Sequence, residues 1–173
     1  MNDIALLKLK HPVELNDYVV PICLADEEEN KELRLYGEPG KERLLSNGRP
    51  TVVGWGTTYK SSDYDISIVS AAKQQKLEVP ILSNRDCASS WDKLGPGVGA
   101  DIQLEEHLCA GGERGKDSCN GDSGACLIGR DGEDNPYIMV GVVSAGTKTC
   151  GLGTPAIYTR VAHYRDWILK NLV

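Results

Sequence analysis

Residues 117–126 read DSCNGDSGAC, a stretch that places a small hydroxyl residue, Ser123, in a glycine-rich segment between two cysteines. Gly121 and Gly124 flank the pair Asp122–Ser123, and glycine is favoured in tight turns because it adopts backbone angles that other residues avoid. An ordinary surface loop would explain this composition. A catalytic serine held in a tight turn would explain it equally well. The remainder of the chain has to decide between the two interpretations.

The bulk properties are those of one globular domain. The chain has 173 residues, of which 40% are hydrophobic and 25% charged, and its net charge is −6. An acidic chain does not favour nucleic acid as a partner, because phosphates call for a basic surface. The apolar runs are about five or six residues long, far short of the roughly 20 that span a bilayer, so no membrane segment is predicted. The N-terminus, MNDIALLKLKHPV, does not have the pattern of a signal peptide.

Six cysteines are dispersed at positions 23, 87, 109, 119, 126 and 150. They form no C-x-x-C pair and have no histidine at zinc-ligand spacing, so no metal site is predicted. Dispersed cysteines in a small domain indicate disulfides and an oxidising compartment. The missing signal peptide conflicts with this interpretation unless the chain is part of a longer protein.

Short apolar runs between turn residues predict an all-β fold. Because no long helical pattern alternates with these runs, an antiparallel barrel or sandwich is favoured over a parallel sheet. The predicted strands are IALLKL (4–9), TVVGWG (51–56), KLEVPIL (76–82), YIMVGVVSAG (137–146) and AIYTRV (156–161).

Two helices and one long loop complete the expected organisation. The segment 83–91 begins with Ser83 and Asp86 at capping-box spacing. The segment 161–173 places Val161, Tyr164, Ile168 and Leu172 on one helical face. The charged segment 26–50, rich in Gly and Pro, is predicted to be a solvated loop.

Seven motifs occur in a fixed order, and as an ordered set they are specific. They are NDIALLKL, PICL, VGWG, LCAGG, DSCNGDSG, VGVVSAG and YTRVAHYRDWI. This set resembles the trypsin/chymotrypsin family of serine proteases, in particular the secreted trypsin-like enzymes of arthropod cascades that carry a clip domain. The resemblance runs from residue 2 to the C-terminus. It implies a double Greek-key β-barrel that is N-terminally truncated, with the second barrel complete, the first mostly absent, and a C-terminal helix. Residues 1–173 would then form one partial protease domain.

The resemblance assigns catalytic roles to three residues. It implies that Ser123 is the nucleophile and that the backbone N–H groups of Gly121 and Ser123 form the oxyanion hole. Asp3 matches the acid that orients the catalytic histidine. Within the ordered motifs, these roles are favoured over a plain turn at 121–124 or an Asn-Asp turn at residue 3.

The same resemblance places a substrate pocket around Asp117. A carboxylate at the base of a pocket selects Lys or Arg side chains, because a buried charge left unpaired is costly. Ser144 and Gly146 match the edge strand that binds the substrate backbone, and Ala156 matches a pocket-wall position that is usually glycine. Asp122 matches the acid that pairs with the new amino terminus after zymogen cleavage.

The cysteine pairing is also inferred from the resemblance. It implies the disulfides Cys87–Cys109 and Cys119–Cys150, while Cys23 matches a cysteine that tethers the domain to the upstream chain. Cys126 matches no family cysteine and is expected to be a buried free thiol, since the family usually has proline there.

The catalytic histidine is missing from the matching pattern. The chain contains His11, His107 and His163, and none stands in the AAHC setting that the family uses. Each is predicted to be a surface or packing histidine. The chain therefore matches the C-terminal two-thirds of a protease domain and is expected to be inactive alone. Ala125, Cys126, Ala145 and Ala156 depart further from the family pattern.

These observations favour a trypsin-like serine endopeptidase that acts in a secreted proteolytic cascade without a cofactor. Its expected partners are protein or peptide substrates with Lys or Arg at the cleavage site and serpin-type inhibitors. The alternative is a serine protease homologue that has lost catalysis and acts as a binding or regulatory protein. Ser123, Asp3 and Asp117 favour the enzyme, whereas Ala125, Cys126 and Ala156 favour the homologue.

Overall fold

The structure is a computed structural model that describes residues 2–25, 49–62, 65–99, 102–103, 105–130 and 134–172. Ten strands and two helices are assigned there. The strands are β1 (Cys23–Leu24), β2 (Thr51–Gly54), β3 (Thr57–Ser62), β4 (Asp65–Ser70), β5 (Gln75–Glu78), β6 (Ile81–Leu82), β7 (His107–Gly111), β8 (Cys126–Gly129), β9 (Ile138–Ala145) and β10 (Pro155–Arg160). The helices are α1 (Asn84–Asp92) and α2 (Val161–Lys170).

Eight strands form one sheet, seven of them in the order β5-β2-β8-β9-β10-β7-β6. The two outermost strands, β5 and β6, are separated in the chain only by Val79 and Pro80. The Val79 N–H donates to Pro50 O (3.0 Å) and the Gly111 N–H donates to Pro80 O (2.9 Å). The bent segment 75–82 therefore pairs with β2 through β5 and with β7 through β6, and this curls the sheet toward a barrel. The predicted all-β fold is confirmed.

Two pairings lie outside that order. Strand β1 is parallel to the start of β9, with Cys23 opposite Ile138, whereas every other strand pair is antiparallel. Strands β3 and β4 form a separate antiparallel hairpin that follows Trp55 and Gly56. The hairpin was not predicted, because β3 is polar, although Ile66 and Ile68 of β4 alternate with polar residues.

The barrel interior is filled by side chains that alternate inward along the strands. Val52, Leu127, Val140 and Tyr158 are each less than 5% exposed. Each fully buried aliphatic side chain stabilises the fold by about 1.5–3 kcal/mol relative to exposure. A second apolar cluster joins α2 to β9 and to the first residues of the chain, and consists of Val161, Tyr164, Ile168, Ile4, Leu24, Met139 and Val142.

Both predicted helices are present, with one correction. Ser83 caps α1, since its hydroxyl accepts the Asp86 N–H (3.1 Å) and donates to the Asp86 carboxylate (2.7 Å). In α2, Val161, Tyr164 and Ile168 are buried as the periodicity predicted. The placement of Leu172 on that face was wrong, because the helix ends at Lys170 and Leu172 is 63% exposed.

The predicted strand at residues 4–9 is not formed, and these residues have no regular secondary structure. Leu7 is 89% exposed and Leu9 is 61% exposed. A strand needs a neighbour to receive its backbone hydrogen bonds, and none lies beside this segment among the described residues. The predicted strand 76–82 is split into β5 and β6 by the corner at Val79–Pro80. The predicted loop 26–50 falls almost wholly on residues 26–48, outside the described residues.

In the part of the chain that the structure describes, neither helix has the length and apolar content needed to cross a membrane.

Candidate active site

The DSCNGDSGAC segment folds into a tight turn that leads into β8. Gly121 (φ +94°) and Gly124 (φ +80°) both lie in the left-handed region, which other residues rarely occupy. The Asp122 N–H donates to Cys119 O (2.9 Å), and the Ala125 N–H donates to Asp122 O (2.8 Å). These bonds close the turn around Ser123, whose side chain is exposed to solvent.

Two backbone donors in this turn are left open. Within the described residues, the N–H groups of Gly121 and Ser123 have no hydrogen-bond acceptor. A Cβ at residue 121 would lie 3.3 Å from Gly56 Cα, so glycine also allows a close approach here. Two unpaired N–H groups on one turn are the donor arrangement that a developing oxyanion requires.

Asp3 is held in place by groups from β9 and β10. The Ser144 hydroxyl donates to the Asp3 carboxylate (Oγ to Oδ2, 2.6 Å), and the Thr159 hydroxyl donates to Asp3 O (2.7 Å). The Tyr164 hydroxyl on α2 donates to Asn2 Oδ1 (2.9 Å). Three hydrogen bonds thus position an otherwise exposed segment, with one Asp3 carboxylate oxygen left over for another donor.

Strand β9 brings Asp3 and Ser123 to the same end of the sheet. The Gly124 N–H donates to Val143 O (2.9 Å), which places the residue after Ser123 beside Val143. The next residue of β9 is Ser144, the donor to Asp3. Only this short hydrogen-bonded path therefore separates the turn of Ser123 from the carboxylate of Asp3.

Asp117 lies six residues before Ser123 in the same segment and is half-buried. Its carboxylate accepts the Gly151 N–H (2.8 Å), and the disulfide Cys119–Cys150 ties the two loops together. Burial raises the pKa of Asp117 above its usual range, although backbone hydrogen bonds from Gly151 and Ser118 oppose the shift. Burial disfavours the charged form of a carboxylate. A cation that binds beside a buried carboxylate therefore stabilises that charged form.

The Asp122 carboxylate packs closely against the backbone of Gly54 and Gly56. Its two carboxylate oxygens accept the N–H groups of Gly56 (2.7 Å) and Cys119 (3.0 Å). A Cβ on either Gly54 or Gly56 would fall far inside van der Waals contact with this carboxylate. The VGWG motif is therefore shaped around the Asp122 side chain.

A small cleft of about 70 Å³ lies beside Asp122. It is bounded by β2, β5 and the 117–122 turn, and Val52, Leu77 and Ser118 are among its lining residues. Thr57 also lines it, and the Thr57 hydroxyl oxygen is buried without a hydrogen-bond partner among the described residues. The cleft thus combines an apolar wall with a carboxylate and an unsatisfied hydroxyl.

The remaining predicted pocket residues lie on β9, just beyond it and on β10. Ser144 is half-buried, and Gly146 is exposed with open space where a Cβ would be. Ala156 is 2% exposed, pairs with Ala110 of β7 and belongs to the core cluster.

The model of the trypsin family, described as Trypsin, matches residues 1–168. The chain belongs to the trypsin family. Its relatives include CLIP domain-containing serine protease HP8 of Bombyx mori (37% identical), Phenoloxidase-activating factor 3 of Holotrichia diomphalia (40%) and Tryptase of Mus musculus (36%). The matches cover 99%, 99% and 96% of this chain, but only 41%, 42% and 54% of those proteins.

The three histidines of this trypsin-family chain lie away from Ser123. His107 is 9% exposed in β7 and accepts the Gln103 N–H at Nδ1 (3.0 Å). Burial lowers the pKa of His107, which favours the neutral ring. His11 is exposed, and His163 is exposed on α2 with its ring edge against Tyr164. None is hydrogen-bonded to Asp3 or Ser123 among the described residues.

All six cysteines of this trypsin-family chain lie in the described residues. The structure contains the disulfides Cys87–Cys109 and Cys119–Cys150. Cys23 is exposed and unpaired, while the Cys126 thiol is half-buried, 3.9 Å from Met139 Sδ. Burial raises the pKa of Cys126, so its thiol is the protonated, less reactive form at neutral pH. No group of three metal-binding side chains occurs in the described ranges.

Sequence reasoning missed the residues that hold the site together. Thr159, Tyr164 and Asn2 fix the Asp3 segment, and neither a motif nor a periodicity points to such long-range contacts. The buried Tyr158 hydroxyl contacts the Ser118 side chain, and burial raises the pKa of Tyr158 to about 12. The packing of Gly54 and Gly56 around the Asp122 carboxylate did have a signal in the sequence, because both glycines belong to the VGWG motif.

Proposed function

We propose that this chain is the C-terminal part of a trypsin-like serine endopeptidase that cleaves protein substrates after Lys or Arg. The observation that carries the proposal is the turn at Ser123, where an exposed hydroxyl lies beside two N–H groups that have no acceptor among the described residues. The next residue, Gly124, is hydrogen-bonded to Val143, which precedes the Ser144 that donates to Asp3. Family membership supports the class of reaction. The residue roles below are the part that this proposal adds.

The proposed reaction is acyl transfer through Ser123. A histidine from an upstream segment takes the hydroxyl proton as Oγ attacks the scissile carbonyl carbon. The N–H groups of Gly121 and Ser123 stabilise the oxyanion, and the histidine then protonates the leaving amine. Water, activated by the same base, releases the acid product and restores Ser123. Asp3 orients that histidine through the carboxylate oxygen that Ser144 does not occupy.

Specificity is proposed to come from Asp117 together with Ser144, Gly146 and Ala156. The half-buried Asp117 carboxylate offers a Lys or Arg side chain a partner, and the burial that raises the pKa of Asp117 shows that the carboxylate has lost hydration. Ser144 and Gly146 lie where a substrate strand could add to the edge of β9. Ala156 is expected to narrow the pocket by one methyl group relative to glycine.

Asp122 is proposed to pair with a new amino terminus after zymogen cleavage. The cleft beside it is lined by the apolar side chains of Val52 and Leu77, which could receive a first side chain, and by Asp122, whose carboxylate could receive the ammonium group. Because Asp122 directly precedes Ser123, this pairing would fix the turn that carries both oxyanion donors.

The rest of the protease domain is proposed to lie upstream, so residues 1–173 are one partial domain that is inactive alone. The segment 4–22 supports this, since Leu7 is 89%, Tyr18 95% and Val20 71% exposed. Exposed apolar side chains in such density indicate a surface that a further structure covers. The chain also spans only 41% and 42% of two insect relatives.

The proposed setting is a secreted proteolytic cascade, with an upstream clip domain and serpin-type inhibitors as partners. Two disulfides fit an oxidising compartment. The name of one relative, a CLIP domain-containing serine protease, supports the clip-domain part of the proposal, and another relative is named as a phenoloxidase-activating factor. An exposed, unpaired Cys23 is suited to a covalent tether to the upstream chain.

Labelling by a fluorophosphonate probe tests the catalytic part of the proposal. We expect an extended protease, meaning this chain joined to the proposed upstream segment and activated, to be labelled, and its Ser123→Ala variant to remain unlabelled. Chain 1–173 alone should not be labelled, because a serine hydroxyl without a base is a poor nucleophile. An unlabelled extended protein whose upstream segment lacks the histidine would instead support the non-catalytic homologue.

A further inference from the structure

The residue directly before Gly121 is an exposed asparagine, Asn120. Its side-chain amide makes no hydrogen bond among the described residues. The backbone around it is held, because the Thr57 N–H donates to Asn120 O (2.8 Å) and the Asp122 N–H donates to Cys119 O (2.9 Å). In the described part of the chain, therefore, no contact requires an asparagine side chain at this position.

Gly121, in contrast, is required by the shape of the turn. Its φ of +94° lies in the left-handed region, and a Cβ there would lie 3.3 Å from Gly56 Cα. Gly121 is exposed, and its N–H has no acceptor among the described residues. The backbone nitrogen next to the Asn120 side chain is therefore reached by solvent and is not hindered by a side chain of its own.

An asparagine followed by glycine contains both a nucleophile and a leaving group. Asparagine is one of the thermolabile residues of proteins. The Gly121 nitrogen, after hydroxide removes its proton, attacks Cγ of Asn120. The bond from Cγ to the side-chain nitrogen breaks, and ammonia leaves with a proton from water. The product is a succinimide ring in which the Gly121 nitrogen carries no hydrogen.

Water then opens the succinimide ring in one of two ways. Cleavage of the bond between Cγ and the Gly121 nitrogen gives aspartate at residue 120. Cleavage of the bond between that nitrogen and the backbone carbonyl carbon gives isoaspartate. The whole reaction consumes one water and releases one ammonia, so it needs no oxidant or reductant.

We propose that Asn120–Gly121 is a self-modification site whose deamidation switches the protease off with time. This inference rests on the proposed function, because it takes the Gly121 N–H to be one of the two oxyanion donors. The nitrogen that serves catalysis as a donor is then also the nucleophile of the side reaction. Each active molecule carries its own route to inactivation, two residues before Ser123.

All three products disturb the donors of the turn. The succinimide lacks the Gly121 hydrogen outright. Isoaspartate lengthens the main chain by one methylene group between Gly121 and Cys119, which the disulfide to Cys150 holds, so the N–H is displaced. Aspartate retains the N–H but adds a carboxylate on the preceding residue, and like-charge repulsion there opposes a developing oxyanion.

Incubation in water labelled with a heavy oxygen isotope tests the modification. The activated extended protease, its Ser123→Ala form and the variants Asn120→Gln and Asn47→Gln are kept at weakly acidic and weakly alkaline pH. Peptide mapping by mass spectrometry separates the asparagine, succinimide, aspartate and isoaspartate forms of residue 120. Heavy oxygen in the product shows that the ring opened during the incubation.

The two variants isolate the reaction. Asn120→Gln keeps a side-chain amide but must close a larger ring, which slows the attack. Asn47→Gln is the matched control, because it removes the other Asn-Gly pair of the sequence, Asn47–Gly48. Ser123→Ala shows the modification without self-digestion. Hydrolysis of an Arg peptide is measured for each active protein relative to the same protein before incubation.

We expect labelled product at residue 120 in the parent and in Ser123→Ala, formed faster at the alkaline pH because the attacking nitrogen must lose its proton. Hydrolysis by the parent and by Asn47→Gln should decline as the modified forms accumulate, since the loss of one oxyanion donor lowers kcat by about 100- to 1,000-fold. Asn120→Gln should keep its starting activity.

The possible failures are distinguishable. An Asn120 that is still intact when Asn47 has been converted, or after prolonged alkaline incubation, overturns the modification site. Modification without loss of hydrolysis, or an equal loss in Asn120→Gln, overturns the inactivating role. An extended protease that never hydrolyses a peptide, although residue 120 becomes modified, overturns the proposed function and the inactivating role with it, while the modification site stands.

Discussion

At the scale of single residues, the Asp122 carboxylate connects the VGWG motif to the Ser123 turn. Both oxygens accept backbone N–H groups, and Gly54 and Gly56 leave no room for a side chain beside them. A charged group that is this enclosed is expensive to move, since its hydrogen bonds must be broken together. The glycines therefore act as positioning residues for the residue that precedes Ser123.

The variant Gly56→Ala tests this packing. The new methyl group collides with both Asp122 oxygens, so we expect unfolding of the extended protease to require about 1–3 kcal/mol less free energy. In an Asp122→Ala background the collision is relieved, and the cost of Gly56→Ala should fall. Urea unfolding of the four proteins in this double-mutant cycle measures the coupling.

Gly146→Ala is the matched control for stability, because its Cβ meets no atom within 4 Å. It should leave the unfolding free energy nearly unchanged. Equal costs of Gly56→Ala with and without the Asp122 side chain would show that the carboxylate is not what excludes a side chain at residue 56.

At the scale of elements, the fully buried strand β7 joins the barrel to the α1 segment. All five of its residues are buried, and Cys109 forms the disulfide with Cys87 of α1. His107 begins this strand and fixes the Gln103 N–H through Nδ1. A buried neutral imidazole makes the stability of this element depend on pH.

Stability should fall as the pH decreases below 6.5, the ordinary pKa of histidine. Burial lowers the pKa of His107 in the folded protein, so between the two values only the unfolded chain binds the proton. Glu106 opposes the shift and His163 adds to it. His107→Asn retains an acceptor and should flatten the change in unfolding free energy between pH 7.5 and 5.5. His11→Asn, at an exposed position, should not. A parent slope unchanged in His107→Asn would contradict this account.

How far the sequence predicted the elements depended on where each element finds its partner. Strands β2, β9 and β10 carry Val, Ile and Tyr that face the core, and their local pattern was sufficient. Strand β3 of the hairpin is mostly polar, and residues 4–9 have a strand pattern but no strand neighbour among the described residues. In both cases pairing decides the structure, and pairing is not a local property of the sequence. Leu172 was misplaced because the helix ends two residues earlier.

The site was predictable to a different degree. The ordered motifs, read as a resemblance, pointed to Ser123, Asp3 and Asp117. In the structure, β9 contacts both the Ser123 turn and Asp3, and the disulfide Cys119–Cys150 joins the segment of Asp117 to the loop at Gly151. The supporting contacts from Thr159, Tyr164 and Ser118 were not predictable, since they join residues more than 30 positions apart without a recognisable spacing. The roles themselves remain proposals.

At the scale of the whole molecule, a curled sheet carries the candidate site, and the segment 4–22 exposes apolar side chains. The barrel core and two disulfides fix the Ser123 turn, the Asp117 loop and the edge of β9. Residues 4–22 expose apolar side chains that we propose an upstream segment covers. The account therefore assigns nucleophile, oxyanion donors and specificity to this chain, and the base to the upstream part.

Hydrolysis of matched peptides with Arg, Lys or Leu before the cleaved bond tests the central claim most directly. The measurement compares kcat/KM for the activated extended protease, Asp117→Ser, Ala156→Gly and Ser123→Ala. We predict that the parent prefers Arg and Lys, that Asp117→Ser loses this preference, that Ala156→Gly cleaves both basic peptides faster, and that Ser123→Ala cleaves none. The extra methyl group of Ala156 is expected to cost about 1–3 kcal/mol in a tightly fitting pocket. The loss of the charge pairing at Asp117 is expected to cost more, so the basic preference should persist in the parent. A parent that prefers Leu, or a basic preference that persists in Asp117→Ser, would contradict the account.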